Sequence, residues 1–346
     1  MKVVYYNLLK IDNVAVTASV ATFEEQDNIN DYVMRILVNC ANAQVERKYK
    51  FDETLDTTKK RIEKLIRQQN VDEVALELGN RLAKVENDSN TANAHLKGKI
   101  PIGILLLALV DMETDGKDFK LMVIKSDYDE FIAENTGKLG TGLSMKNQIF
   151  KTCLFNVKMG EECFEWGQIS TSDSTKRKAE YWCKTFLELT ELLSDETNTI
   201  NAYEQIKKSV LEPLRKNGYK ADWFILSNYT IGYMRSEGTF DLDYFRNHII
   251  GAIHPIDPRL DIEKLKEKVD KLREKGKFDA VFTKVPEVIK DKVKNVIKLT
   301  EEIDLKIKHE IAGMQNVIIP AELDDGRKGV TIVSENGYEY AKGLKV

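Results

Sequence analysis

The chain has 346 residues, more than the roughly 100–200 of a usual single domain, so two domains are expected. With 42% hydrophobic and 31% charged residues it carries enough apolar surface to offset the entropy of ordering, which excludes a disordered chain. A formal charge of −4 excludes a histone-like coat of positive charge and leaves any contact with a polyanion to a local basic surface.

Val3 to Leu9 and Val14 to Val20 read as short strands joined at Asp12-Asn13. Tyr32, Val33, Ile36, Leu37 and Cys40 recur at helical spacing, with Asp27 or Asn28 as the cap. Two more helices are expected, Thr57 to Gln68 and Val71 to Val85, and the polar run Glu86 to Asn93 is expected to end them. Ile102 to Asp111 and Phe119 to Ile124 read as strands around the Asp115-Gly116 turn and as the centre of the first domain. The apolar run Ile100 to Val110 falls short of the roughly 20 residues that span a bilayer. The N-terminus has no long apolar signal region, so a cytoplasmic protein with no membrane contact is expected.

The glycines of 137–142 predict a tight turn before a helix from Leu143 to Leu154. That helix is expected to lie on the strand pair through Ile149, Cys153 and Leu154 and to expose Lys146 and Lys151. A domain boundary is placed near Lys158 to Glu162. Beyond it, Phe164 to Ile169 predicts a strand, and Lys178 to Leu193, Ala202 to Lys216 and Asp241 to Ile253 predict helices. Asp261 to Lys275 keeps Ile262, Leu265, Val269 and Leu272 on one stripe and reads as a surface helix capped by Asp261. Short β-rich runs separated by turns such as Asp324-Asp325-Gly326 and Glu335-Asn336-Gly337 follow. The fold class is therefore α+β, with an N-terminal sheet and helices over 1–158 and a unit over 159–346 that starts helical and ends in β structure.

Chemistry-bearing patterns are sparse. Gly137 to Gly142 matches neither phosphate-binding glycine motif. Cys40, Cys153, Cys163 and Cys183 lack metal-ligand spacing and read as reduced thiols, so no metal or cofactor is expected. His95, His248, His254 and His309 are scattered without a neighbouring nucleophile. Asp257, Asp261 and Glu263 are the residue types of a Mg²⁺-dependent nuclease, but helix capping accounts for them, and no catalysis is expected.

Basic residues gather in three places. Lys146 and Lys151 lie after the glycine segment, and Lys176, Arg177 and Lys178 stand beside Tyr181 and Trp182. From Lys264 to Lys298 there are twelve Lys/Arg, at 264, 266, 268, 271, 273, 275, 277, 284, 290, 292, 294 and 298. Six Asp/Glu, at 267, 270, 274, 279, 287 and 291, oppose them. The residues read as phosphate contacts are Lys146, Lys151, Lys176, Arg177, Lys178, Lys264, Lys268, Lys271, Lys275, Lys290, Lys292 and Lys294. Tyr181 and Trp182 read as packed core.

In order and pattern the chain resembles the nucleoid-associated protein family, the NdpA or YejK-like proteins. The resemblance rests on the apolar strands 102–110 and 119–124, Asp127-Tyr128 with Phe131, and Gly140 and Gly142 before Lys146 to Phe155. It rests most on Tyr181-Trp182, Phe186-Leu187 and Asn198-Thr199. It implies a cytoplasmic, nucleoid-associated homodimer that binds double-stranded DNA without sequence preference, and it carries no catalytic residue over. The alternatives are an interaction subunit of an antiphage defence system that senses DNA or a phage protein, and the Mg²⁺-dependent nuclease.

Overall fold

The computed structural model describes residues 1–22, 26–41, 46–95, 99–114, 116–132, 139–142, 150–160, 164–176, 179–290, 295–307, 311 and 313–344. The first half of the chain runs β1 (Lys2–Asp12), β2 (Thr17–Val20), α1 (Gln26–Ala41), β3 (Arg47–Phe51), α2 (Thr57–Ile66) and α3 (Val71–Ala92). It continues through β4 (Gly103–Asp111), β5 (Asp118–Asp127), β6 (Asp129–Ile132), β7 (Leu139–Gly142), β8 (Phe150–Met159), β9 (Phe164–Asp173) and β10 (Leu189–Glu191). Eight of these strands form one antiparallel sheet in the order β10-β3-β9-β8-β5-β4-β1-β2.

β4 explains the layering. Its run Gly103–Asp111 is buried at every position, because alternate residues feed opposite faces of the sheet. Leu105, Leu107 and Leu109 join α2, α3, Trp182 and Phe186 in the larger core. Ile104, Leu106, Ala108 and Val110 instead meet Val33, Ile36 and Leu37 of α1 on the other side. The result is a three-layer α+β body with the expected strand pair at its centre.

The second half runs α4 (Asp195–Ile206), α5 (Glu212–Lys216), α6 (Lys220–Arg235), β11 (Thr239–Asp241), α7 (Leu242–Tyr244), α8 (Ile262–Lys275) and β12 (Val281–Thr283). Its own core is built by Ile206, Leu226, Met234, Phe240, Phe245, Val269 and Phe282. Then come β13 (Asn295–Lys298), β14 (Asp304–Ile307), α9 (Met314–Val317), β15 (Ile318–Glu322), β16 (Lys328–Ile332) and α10 (Glu335–Lys342), with the strands paired as hairpins β13–β14 and β15–β16.

Several expected elements take another form. Residues 143–149 lie outside the described residues, and 150–154 are strand β8 rather than helix: Cys153 and Leu154 meet Val123 and Met122 as strand neighbours. Gly140 and Gly142 sit in strand β7, paired with β6, and not in a turn. The division after Lys158 runs through the β8–β9 hairpin, whose two strands belong to one sheet. In place of a helix from Lys178 to Leu193 there is a single π-helical stretch, Tyr181–Phe186, followed by β10, because Leu189 to Glu191 pair with β3. α3 continues through the polar run to Ala92. Glu335-Asn336-Gly337 opens α10, with Ser334 as its cap, instead of forming a turn. No helix among the described residues is long and apolar enough to cross a membrane.

Candidate functional site

Helix α8 starts where the Asp261 side chain accepts the Lys264 backbone N–H at 3.2 Å. It stops at Gly276, whose φ of +57° favours glycine and whose absent Cβ would lie 2.5 Å from Lys48 Nζ. Leu265, Val269 and Leu272 anchor it in the second core. Lys264, Lys268, Lys271 and Lys275 follow at steps of four, three and four, which at 3.6 residues per turn holds them within about 60° of arc over about 16 Å. Lys264, Lys271 and Lys275 are exposed and Lys268 is half-buried. Lys275 Nζ donates to Ser209 Oγ at 3.3 Å, next to exposed Lys208. The acidic residues of α8 fall on an adjacent strip. Two of them are met by other cations, Glu263 by Lys266 at 2.7 Å and Asp270 by Arg246 at 2.9 Å.

A second set of charges lies at one end of the large sheet. Lys125 is 1% exposed, and its ammonium stands 2.7 Å from Asp127 and 3.5 Å from Glu86, which is fully buried. Asn13 donates to Glu86 at 3.0 Å. Burial raises the Glu86 carboxyl even against the pull of Lys125. Gly103 makes room for this arrangement, since a Cβ there would stand 2.1 Å from the Ser126 carbonyl oxygen and 2.9 Å from Lys125 Nζ. One rung along, Lys125 opposes Lys151, and Lys151 opposes Asp173 with an ion pair of 3.1 Å. Lys151, read as exposed from sequence, is therefore mostly buried against a carboxylate. Lys176 pairs with Glu46.

The two cores meet along β3. Arg47 holds Glu191 at 2.8 Å and Asp195 at 3.3 Å, and the Lys48 N–H donates to Asp279 at 3.2 Å. Asn198 donates to the same carboxylate at 3.0 Å and accepts the Asp279 N–H at 2.8 Å. Burial pushes the Asp279 carboxyl up to about 6. Thr199 accepts the Val285 N–H at 3.1 Å. The Asn198-Thr199 pair thus ties α4 to β12, and its partner Asp279 carries no local signal in the sequence.

Several of the remaining residues singled out from sequence have structural partners. Asp257 is held down to about 2 by hydrogen bonds from Arg259, and Asp261 caps α8. Among the described residues no group of three His, Cys, Asp or Glu side chains could hold a metal ion. Cys40, Cys153 and Cys183 are buried thiols raised by that burial, and the His248 ring lies 4.6 Å from the Tyr244 ring. Trp182 and Phe186 pack in the larger core with ring centroids 5.1 Å apart. Lys290 directly follows a short 3-10 turn, Pro286–Ile289, and is exposed. Lys146, Arg177, Lys178, Lys292 and Lys294 lie outside the described residues. No family model and no curated protein matches the chain.

Proposed function

We propose that the protein binds double-stranded DNA through the lysine stripe of α8, without sequence preference and without catalysis, in keeping with a nucleoid-associated role. The observation that supports this is the alignment of Lys264, Lys268, Lys271 and Lys275 on one face, on an otherwise acidic chain. A row of ammonium groups about 16 Å long spans several phosphates, and each neutralised phosphate releases counterions without reading a base. Lys151 and Lys125, already held by carboxylates, play no part in it.

The test is a duplex titration over salt. Four contacts give a slope of log affinity against log salt near −3.6, so binding weakens by about two decades between 50 and 200 mM. Changing the four lysines together to Ala removes most of that slope and weakens binding to unrelated sequences alike. A slope near zero in the parent chain, or an unchanged slope in the variant, defeats the reading.

A further inference from the structure

Two cavities adjoin at the turn between α5 and α6. α5 gives way at Asn217 and Gly218, where a φ of +91° suits glycine, and the Tyr219 N–H donates back to the Leu214 carbonyl at 3.0 Å. The chain reverses there, which brings Arg215 from the last turn of α5 against Trp223 in the first turn of α6, with the guanidinium 5.6 Å from the ring centre. Val296 of β13 supplies a further wall. Arg215, Trp223 and Val296 line both cavities, one of about 270 Å³ and the other of about 400 Å³, which together fall within the roughly 300–1,000 Å³ of small-molecule sites.

The two cavities differ in chemistry. Lys207, Glu212, Arg215 and Ser227 line the smaller, whereas Trp223, Phe224, Val296 and Ile297 line the larger with Lys220 and Lys298 beside them. Lys298 is held by Glu301 at 2.9 Å. Lys207, Arg215 and Lys220 are exposed and have no carboxylate partner among the described residues. Ser227 is 3% exposed and lines the smaller cavity, and its hydroxyl has no hydrogen-bond partner among the described residues. A buried hydroxyl ordinarily has one, so this hydroxyl is free to serve a guest.

These groups define the guest between them. Three unpaired cations exceed what a single carboxylate neutralises and suit a phosphate or diphosphate, which brings two or three charges and several acceptor oxygens. The apolar slot beside Trp223 suits a flat ring that stacks on the indole. Glu212 would repel a phosphate but accepts hydrogen bonds from the hydroxyls of a sugar. We infer that this cleft binds a free nucleoside phosphate. Its base lies in the slot between Trp223 and Val296, its sugar hydroxyls meet Glu212, and its phosphates meet Lys207, Arg215 and Ser227. The inference does not rest on DNA binding, because Lys207 stands about half a turn round its helix from Ser209, the residue that Lys275 of the α8 stripe reaches.

The test titrates the full chain with ADP in magnesium-free buffer, by calorimetry and by quenching of tryptophan emission. The parent is expected to bind one ADP with a Kd on the order of 10–100 µM, and to bind adenosine and pyrophosphate separately at least about tenfold more weakly. Lys207→Ala with Arg215→Ala weakens ADP binding at least about tenfold, and Ser227→Ala about fivefold. Neither variant shifts Tm appreciably, because the two cations are exposed and the hydroxyl has no partner to lose. Trp223→Phe keeps a stacking ring and most of the affinity but abolishes the quenching. The α8 variant with four alanines keeps its ADP affinity, so this inference and the DNA reading can fail separately. No saturable binding up to about 2 mM ADP overturns the inference. So does pyrophosphate that binds as tightly as ADP, unchanged affinity in the variant lacking Lys207 and Arg215, or loss of ADP binding in the α8 variant. An oligodeoxyadenylate that displaces ADP at lower concentration than AMP does would give the cleft to a strand and likewise overturn it.

Discussion

Lys125 at the end of β5 and Lys271 on α8 carry the same ammonium group in opposite surroundings. Lys125 is closed off from water and held between Glu86 and Asp127, with Lys151 and its own partner Asp173 one rung away. Lys271 stands in solvent in line with three other lysines. In a buried row each charge is tolerated only because an opposite charge or a hydrogen bond offsets its desolvation. An exposed charge contributes little to folding and stays available to an outside anion. A count of lysines along the chain weights both alike, whereas partners 39 residues away for Lys125 and 22 residues away for Lys151 decide which of them can reach a phosphate.

The largest effect expected is at the buried end. Lys125→Met leaves Glu86 enclosed without its cation and should cost on the order of 3–5 kcal/mol in urea unfolding. Adding Glu86→Gln should recover much of that loss. If the single variant unfolds within about 1 kcal/mol of the parent, Lys125 is not the buried partner described.

The next effect concerns Asp279, a buried acid held by hydrogen bonds from Asn198 and Lys48, whose burial outweighs the pull of the Arg47 and Lys48 charges. Its folded value near 6 lies above the ordinary 3.8, so the folded state keeps its proton longer than the unfolded state does. The stability this contributes is fully present below the unfolded value and is lost as pH rises through about 6. At about 1.4 kcal/mol per unit the loss is on the order of 3 kcal/mol. Asp279→Asn should flatten that interval, so unfolding free energies of parent and variant that run parallel from pH 4 to 6.5 count against the assignment.

The smallest effect belongs to the stripe. Replacing Lys264, Lys268, Lys271 and Lys275 with Ala should change stability by no more than about 0.5 kcal/mol per site, measured in the same urea assay. A larger loss would mean that these lysines hold the fold, and the contrast with Lys125 would fail.

What the sequence disclosed follows from how local each signal is. α8 was legible because cap, apolar stripe and terminal glycine all lie within sixteen residues, and β4–β5 because Asp115-Gly116 stands between two apolar runs. β8 was misread as part of a helix although Cys153, Phe155 and Val157 alternate with Thr152, Leu154 and Asn156. The strand is central and takes apolar residues on both faces, so the alternation is faint. α6 went unseen for the same reason: buried Leu226, Ile231 and Met234 are mixed with half-buried Trp223 and Tyr233, and no clear stripe emerges. β10 is three residues long, too short for any period, and exists because β3 offers it an edge. Of the candidate site, the α8 lysines could be named from sequence. That Lys151 is held by Asp173, and that Asn198 is held by Asp279 from 81 residues away, depends on topology that a linear reading does not contain.

The position of β3 sets an order of assembly. Arg47 to Phe51 enter the sheet between β9 and β10, so the last partner strand leaves the ribosome about 140 residues after β3 itself. At 5–20 residues per second that is a wait on the order of ten seconds, during which this five-residue strand has both edges open until β9 emerges and one edge open until β10 follows. Three of the five are Arg47, Lys48 and Lys50, and positive charge on an open edge discourages pairing with another nascent chain. Once β10 arrives, Arg47 changes partners from water to Glu191 and Asp195, and the residues that guarded the waiting strand become the clamp between the two cores.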